Sequence, residues 1–339
     1  MAVDSVSAAA FLQNATIHAY VGGNPSFEGK IPSDVSYAES LKSYLVSTFN
    51  PASPSVKGRE KRISAARKLV ATLAGVEGAY VFHPYPVTPY HMDYLHHFDL
   101  AEASKEEYLH PSRGAQGEAD LRLRVRAKGN LEQEIIRSLG DLEEKAWDAT
   151  VEEVDIGDLV SSHTISLNGW LGPPWLHEGW FQAYLLLADK ISDSARKQAV
   201  DENYQRLVRG DYDGVEERLN LERKLVSLLT QGYERIVIGY TMQREYYNRE
   251  YSAGIENIAY DSQTGFNSAI FIRTVKLKDF PWNGWLRLGV ESRPFAAWNP
   301  IGGFTDPAGR LIWFAVGDPA FFSAPYNGSW VPNRIGDFR

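Results

Sequence analysis

The sequence has 339 residues, of which 44% are hydrophobic and 23% are charged, and its formal net charge is −8. This composition is that of a packed globule of one or two domains and excludes an intrinsically disordered chain. The acidic balance argues against nucleic-acid binding, because Lys and Arg supply most phosphate contacts. Cysteine is absent, which excludes disulfides, thiolate metal ligands and a cysteine nucleophile.

The N-terminus and the hydropathy pattern indicate whether the chain is secreted or inserted into a membrane. Asp4 stands where a secretory signal would be basic, and the apolar run over residues 8–12 is too short for the core of such a signal. Nowhere does an apolar run reach the roughly 18 residues of a transmembrane helix. We therefore expect a cytoplasmic protein without a membrane span.

Amphipathic periodicity predicts helices through most of the first 265 residues. The predicted helices cover residues 36–48, 58–73, 130–147, 175–209 with a break near Ser192, and 219–257. A short buried strand or extended segment is predicted over residues 79–82, just before a proline-rich stretch.

The C-terminal part shows strand-like alternation instead. Residues 268–278, 285–290 and 311–316 alternate apolar and polar side chains, which predicts a small antiparallel sheet. The predicted fold class is therefore α+β, a predominantly helical body of about residues 1–265 with a small antiparallel β-rich C-terminal part of about residues 266–339. We predict a single domain of residues 1–339, in which the C-terminal part is at most a subdomain.

Five of the eight histidines fall between residues 83 and 110. Two H-x-D pairs stand there, and imidazole with carboxylate is the ligand set left for a transition metal when cysteine is absent. The predicted metal ligands are His91, Asp93, His97 and, at a distance in sequence, His163. The alternative is a loop in which the imidazoles hydrogen-bond to carbonyl groups.

A second candidate lies in the tryptophan-flanked stretch of residues 170–180. Its two prolines present His177 and Glu178 at the start of a helix, where the neighbouring tryptophans would restrict solvent and side-chain rotation. We predict catalytic roles for both residues. The alternative is a helix N-terminus in which Glu178 faces the dipole and the tryptophans pack beneath it.

A third candidate lies within the predicted helix of residues 219–257. On a helix, Tyr240, Arg244, Tyr247 and Tyr251 would share one face and line a pocket for a carboxylate or phosphate. Arg244 and Tyr247 are therefore included among the predicted catalytic residues. An ordinary helix surface on which arginine stacks on tyrosine is the alternative.

The same segment resembles a motif with which class I terpene synthases hold magnesium, N-x-x-x-S-x-x-x-E, in the residues Asn248, Ser252 and Glu256. Asp93 and Asp99 lie upstream at a distance similar to that of the family's aspartate-rich motif. The sequence departs from the family because D-D-x-x-D is absent and Arg249 replaces the usual aspartate. The resemblance implies magnesium-dependent prenyl-diphosphate chemistry.

Nine tryptophans, 18 tyrosines and 15 phenylalanines suit a cavity for an organic ligand. P-loop, Rossmann and serine-hydrolase motifs are absent. The leading hypothesis is an enzyme that acts on an aromatic or hydrophobic small molecule, with a divalent metal, iron first, or haem as cofactor. The alternative is a non-catalytic protein that binds a ligand or partner through an aromatic-rich surface. Self-association into a homo-oligomer is left open.

Overall fold

The computed structural model of the chain describes residues 1–74, 80–109, 122–127, 146–161, 174–279, 284–295, 306–317, 319–325 and 329–336. The chain divides into two compact units. Unit 1 comprises Met1–Leu41, Thr164–Pro174 and Met242–Arg339, and unit 2 comprises Lys42–His163 and Trp175–Thr241. The predicted single domain stays a prediction.

The α-helices of the described residues, numbered in chain order, are α1 (Ser5–Gln13), α2 (Arg59–Leu73), α3 (Phe98–Leu109), α4 (Ile156–Ser161), α5 (Gly179–Leu187), α6 (Ser194–Arg209), α7 (Gly214–Thr230), α8 (Ala269–Thr274) and α9 (Pro307–Val316). Short 3₁₀ helices cover Tyr94–His96, Pro174–His177 and Ala188–Lys190. Within the described ranges, no helix has the length and apolar content required to cross a bilayer.

The strands are β1 (Ala19–Val21), β2 (Val35–Phe49), β3 (Val81–Phe82), β4 (Val125–Ala127), β5 (Ala149–Asp155), β6 (Arg235–Asn248), β7 (Ile255–Glu256), β8 (Lys276–Leu277), β9 (Leu288–Val290), β10 (Phe321–Ser323) and β11 (Trp330–Pro332). The two long strands are divided between the units, β2 after Leu41 and β6 after Thr241.

In unit 2 the strand order is β4-β5-β2-β6, and β3 also pairs with β6. Strand β5 runs antiparallel to β2, with Ser43 opposite Asp155, and parallel to β4. Helix α2 buries its apolar stripe with the sheet residues in one hydrophobic cluster, which includes Leu45, Ala66, Leu69, Leu73, Val151 and Ile238. Burial of such side chains contributes about 1.5–3 kcal/mol each, so this cluster stabilises the unit.

In unit 1 strand β1 runs antiparallel to β6 and parallel to β9, with Ala19 opposite both Tyr247 and Leu288. Two hydrophobic clusters stabilise the unit. One gathers side chains of α1, β1 and β6, including Leu12, Ile17, Tyr20 and Tyr246. The other surrounds the stacked rings of Phe266 and Phe271, whose centroids lie 4.2 Å apart.

The predicted fold class is wrong, because two long segments read as helix are strands. Residues 36–48 lie in β2, and the second half of the predicted helix 219–257 is β6. The apolar residues of β2 are spaced as they would be on one face of a helix, so their spacing along the sequence did not distinguish a strand from a helix. The β-branched run Ile236-Val237-Ile238 favours a strand and was a signal against the helix.

The predicted C-terminal sheet is wrong for a complementary reason. Residues 311–316 lie in α9, where Asp306 caps the helix by accepting from the Gly309 N–H at 2.9 Å and Pro307 opens the first turn. Residues 269–274 form α8, capped by Ser268. From the sequence, Asp306 and Pro307 were interpreted as part of a turn and Ser268 as the start of a strand.

Other predicted elements are confirmed. Helix α2 matches the predicted helix of residues 58–73, and α5 and α6 match the predicted helix of residues 175–209 with its break near Ser192. Strand β3 lies within the predicted segment 79–82, and β9 within the predicted strand 285–290. The predicted helix 130–147 lies mostly outside the described residues.

Candidate functional site

Asp93 lies in unit 2, and its side chain contacts the first residues of α5. Its Oδ1 accepts a hydrogen bond from the Gly179 N–H at 2.6 Å, and its Oδ2 accepts one from the Trp180 N–H at 3.1 Å. The first N–H groups of a helix have no partner within the helix, so the carboxylate satisfies two of them and faces the positive end of the dipole. Glycine is required at position 179, because a Cβ there would stand 2.5 Å from Val87 Cγ1.

His97 points its Nε2 towards this carboxylate. The side chain is fully buried, and its Nε2 lies 3.8 Å from Asp93 Oδ2 without a hydrogen-bond partner among the described residues. The Nδ1 atom lies 3.0 Å from the Tyr85 hydroxyl. Burial, and then the nearby Arg223 guanidinium, lower the pKa of His97 to about 4, so the ring is neutral at pH 7.

Glu222 completes a cluster with these two residues. It lies on the apolar face of α7, is 1% exposed, and neither carboxylate oxygen has a hydrogen-bond partner in the described part of the chain. One ligand atom from each of Asp93, His97 and Glu222 lies within 4.8 Å of the other two. We call these three residues the buried cluster.

Electrostatics around the buried cluster disfavour ionised carboxylates. Burial, reinforced by the neighbouring Glu178 carboxylate, raises the pKa of Glu222 to about 8, and burial also raises the pKa of Asp93. Glu178 is buried too, accepts a hydrogen bond from the Trp180 indole, and has a pKa raised by burial and by Asp93. Arg218 pairs with Glu222 at 3.5 Å and with Glu178 at 3.6 Å. Two of the three buried carboxylates, Glu178 and Glu222, thus share one arginine.

The predicted ligand His91 lies in a separate hydrogen-bond network. Its Nε2 is 3.0 Å from the Tyr44 hydroxyl and 2.9 Å from Gln182 Oε1, and its Nδ1 accepts from the Thr88 N–H at 2.8 Å. Both ring nitrogens are thereby occupied, and burial lowers the pKa of the ring to about 4. The geometry fits the alternative reading of a core histidine.

The remaining predicted residues of unit 2 flank the cluster or fall outside the described chain. Glu178 occupies the N-cap position of α5, as the alternative reading expected, and its side chain lies beside the buried cluster. His177 ends the preceding 3₁₀ helix, is half-buried, and its carbonyl accepts from the Met92 N–H at 3.3 Å. His163 lies outside the described residues.

Arg244 and Tyr247 belong to unit 1 and do not share a helix face. Both lie in β6, and because side chains alternate along a strand, positions three apart point to opposite faces. Arg244 pairs with Glu39 at 2.9 Å and stacks over the Tyr37 ring. Tyr247 packs edge-on against Phe266. The predicted pocket for a carboxylate or phosphate on one helix face is therefore wrong.

The terpene-synthase resemblance fails on the same geometry. Asn248 ends β6 and donates to the Leu12 carbonyl at 2.6 Å, Ser252 lies in a turn, and Glu256 is exposed in β7. The N-x-x-x-S-x-x-x-E spacing brings its side chains together only on a helix.

Unit 2 also contains a tyrosine-lined cavity of about 530 Å³. It lies between α3, α7 and the start of β6. Polar groups at its edge include Arg59, Ser104, Glu107 and Gln231. Its aromatic and aliphatic lining includes Tyr85, Tyr108, Tyr233, Leu100, Ala103, Leu187, Ile236 and Val237.

Sequence reasoning did not find Glu222 or the cavity. Glu222 had a readable signal, since an acidic residue follows Leu221 and precedes Leu225 and Leu229 in an otherwise apolar stripe. The cavity tyrosines carried no such signal in the sequence, because they come from three separated segments of the chain.

No protein-family model and no curated protein matches the sequence. Among solved structures, it resembles the AppA protein of Clostridium difficile, described as peptide-binding, with 13% identity, a TM-score of 0.44, and 74% of this chain and 55% of that one covered. NikZ of Campylobacter jejuni in complex with Ni(L-His) is 14% identical, with a TM-score of 0.39, and the match covers 75% of this chain and 56% of NikZ. The periplasmic EDTA-binding protein EppA is 10% identical, with a TM-score of 0.35, and the match covers 68% of this chain and 48% of EppA.

The chain thus spans about half the length of these structures. With TM-scores below 0.5, the likenesses supply neither a family nor a function for this chain. The proteins quoted are described as binding proteins or ligand complexes, and one of them as periplasmic. These descriptions stand against the expectations of an enzyme on an aromatic or hydrophobic substrate and of a cytoplasmic location. A nickel complex is bound by NikZ, whereas iron or haem in this chain stays a prediction.

Proposed function

We propose that the chain is a non-catalytic small-molecule-binding protein and that the tyrosine-lined cavity of unit 2 holds the ligand. The observation that carries this proposal is the cavity itself. Its volume of about 530 Å³ suits a small organic molecule, because ligand pockets commonly measure about 300–1,000 Å³. Three tyrosines among aliphatic residues provide flat apolar walls with polar edges.

The charged groups at the edge indicate the ligand class. Arg235 is engaged by Glu152 and by Thr48, and Glu107 pairs with Arg67 at 3.2 Å. Arg59 lies at the surface, where it donates to the Gln231 carbonyl at 2.9 Å and pairs with the exposed Glu60 at 3.3 Å, and its guanidinium lies 5.8 Å from the centre of the Tyr233 ring. A molecule with a flat apolar body and an anionic group directed towards Arg59 fits this distribution.

The chemistry of the lining supports binding without conversion. Burial raises the pKa of both Tyr85 and Tyr108 far above neutrality, so these phenols stay protonated and act as hydrogen-bonding groups rather than bases. The Ser104 hydroxyl donates to the Pro84 carbonyl at 2.6 Å. Among the described lining residues there is no histidine to activate that hydroxyl as a nucleophile.

The cavity can be tested by filling it. Ala103 lies on the exposed side of α3 and lines the cavity, so Ala103→Trp should block it while keeping the fold. We expect the dissociation constant of 8-anilinonaphthalene-1-sulfonate, a flat apolar anion, to rise at least about tenfold, since a filled cavity removes most of the buried contact area. Fluorescence titration measures this change.

Ala52→Trp is the matched control, since Ala52 is exposed and does not line the cavity. Equal dissociation constants for the two variants would place dye binding elsewhere and contradict the proposal. Mass spectrometry of small molecules released by denaturing each purified variant gives a second readout. The native ligand should be depleted from Ala103→Trp alone and should remain chemically unchanged after prolonged incubation with the wild-type chain.

A further inference from the structure

We propose that unit 2 binds a divalent transition-metal ion, with Zn²⁺ as the type ion, through the buried cluster of Asp93, His97 and Glu222. The site is distinct from the tyrosine-lined cavity and requires no catalytic role. Its ligands come from the segment preceding α3 and from α7, so the ion would join these elements at the start of α5.

The distances suit one ion after a small contraction. The three ligand atoms lie within 4.8 Å of one another. In the tetrahedral arrangement that Zn²⁺ prefers, two ligand atoms with bonds of about 2.1 Å lie about 3.4 Å apart, so the atoms need to approach by up to about 1.4 Å. Neither oxygen of Glu222 accepts a hydrogen bond from a described residue, so the approach of Glu222 to an ion would disturb only its ion pair with Arg218 at 3.5 Å.

The hydrogen bonds around His97 and Asp93 orient both side chains for this role. A proton on His97 Nδ1 can be donated to the Tyr85 hydroxyl, which directs the Nε2 lone pair at the cluster. Metal-bound histidines are commonly held by such a bond through the other ring nitrogen. Each Asp93 oxygen accepts one backbone hydrogen bond and keeps a second lone pair for an ion.

The charge and the donor types indicate the kind of ion. Asp93, Glu178 and Glu222 are all buried, and the ion pairs of Arg218 with Glu178 and Glu222 offset part of their negative charge. A dication would stabilise the ionised carboxylates, which are costly to bury without a nearby positive charge. One imidazole and two carboxylates without a thiolate match zinc or a neighbouring transition metal better than calcium, which takes oxygen ligands.

Isothermal titration of the chelator-treated full-length chain with ZnCl₂ tests the site. We expect one Zn²⁺ per chain and a zinc-dependent rise in Tm. Glu222→Gln keeps the side-chain shape but removes the anionic ligand, so its dissociation constant for zinc should be at least about tenfold higher. In the same variant, zinc should raise the Tm by less than it does in the wild type at equal zinc concentration, because a ligand stabilises the fold in proportion to its affinity.

His97→Gln is the second variant and should weaken zinc binding at least about tenfold as well. His96→Ala is the control, because His96 is the adjacent histidine, is exposed, and lies outside the buried cluster. The control should bind zinc like the wild type. Absence of binding to the wild type, wild-type affinity in Glu222→Gln or His97→Gln, or loss of binding in His96→Ala would each overturn the proposal.

Discussion

Replacing Glu245 by alanine is expected to lower the free energy of unfolding by about 2–3 kcal/mol at pH 6. Glu245 lies in the unit 1 part of β6, is 2% exposed, and accepts hydrogen bonds from the backbone N–H groups of Gly22, at 3.0 Å, and Phe266. Alanine leaves the N–H of the buried Phe266 without this acceptor, which costs about 1–3 kcal/mol, whereas the exposed Gly22 can donate to water. Gly265 closes over the carboxylate so tightly that a Cβ there would lie 2.1 Å from Glu245 Oε2.

The stabilising effect of Glu245 is also expected to depend on pH. Burial raises the pKa of its carboxyl from 4.5 to about 7, although the two backbone donors oppose this shift. The folded state therefore holds the proton more tightly than the unfolded state between these two values. Because the proton is bound preferentially by the folded chain, the free energy of unfolding falls as pH rises from about 4.5 to about 7. The difference between wild type and Glu245→Ala should shrink over that interval.

Urea denaturation at pH 5, 6, 7 and 8 measures both effects. Glu28→Ala serves as the control, since Glu28 is an exposed carboxylate of the same unit and should change the stability by less than about 0.5 kcal/mol. A Glu245→Ala variant as stable as this control would show that the carboxylate does not hold the two backbone segments. A difference that grows between pH 5 and pH 7 would contradict the assigned direction of the pKa shift.

The second large effect is expected for His91→Ala, which should lower the free energy of unfolding by about 3 kcal/mol. The substitution removes one hydrogen-bond partner each of the Tyr44 hydroxyl, of Gln182 and of the Thr88 N–H, and it leaves a cavity in the core of unit 2. The zinc affinity of the folded variant should stay at the wild-type value, because His91 does not belong to the buried cluster.

Thermal unfolding and zinc titration of the same His91→Ala preparation separate these two roles. His96→Ala, the exposed neighbour, should change neither quantity. A His91→Ala variant that kept its stability but lost zinc would restore the first prediction for this residue, that of a metal ligand. A stable variant with unchanged zinc affinity would show that the hydrogen-bond network contributes little to the fold.

Helix predictions succeeded where the segment's own sequence was sufficient. Helix α2 has an apolar stripe over 15 residues among arginines and lysines, and α5 and α6 are separated where Asp193 caps the second helix. Such periodicity and capping are properties of neighbouring residues, so they can be read along the chain.

The strands were missed because their stability comes from partners distant in sequence. In β2, Leu41, Tyr44 and Leu45 fit a helical stripe as well as a strand, and pairing with β5 more than 100 residues later selects the strand. In β6, the β-branched residues after Tyr233 favoured a strand locally, but the tyrosine spacing beyond them imitated a helix face.

The sequence by itself determined the acidic, cysteine-free composition, the amphipathic helices, and the i, i+4 spacing that sets Asp93 beside His97. Only the tertiary structure decided that Glu222, 125 residues after His97, completes their cluster while His91 faces Tyr44 and Gln182. The physical reason is that a buried site draws its ligands from separate elements, whose packing depends on long-range contacts that no local spacing records.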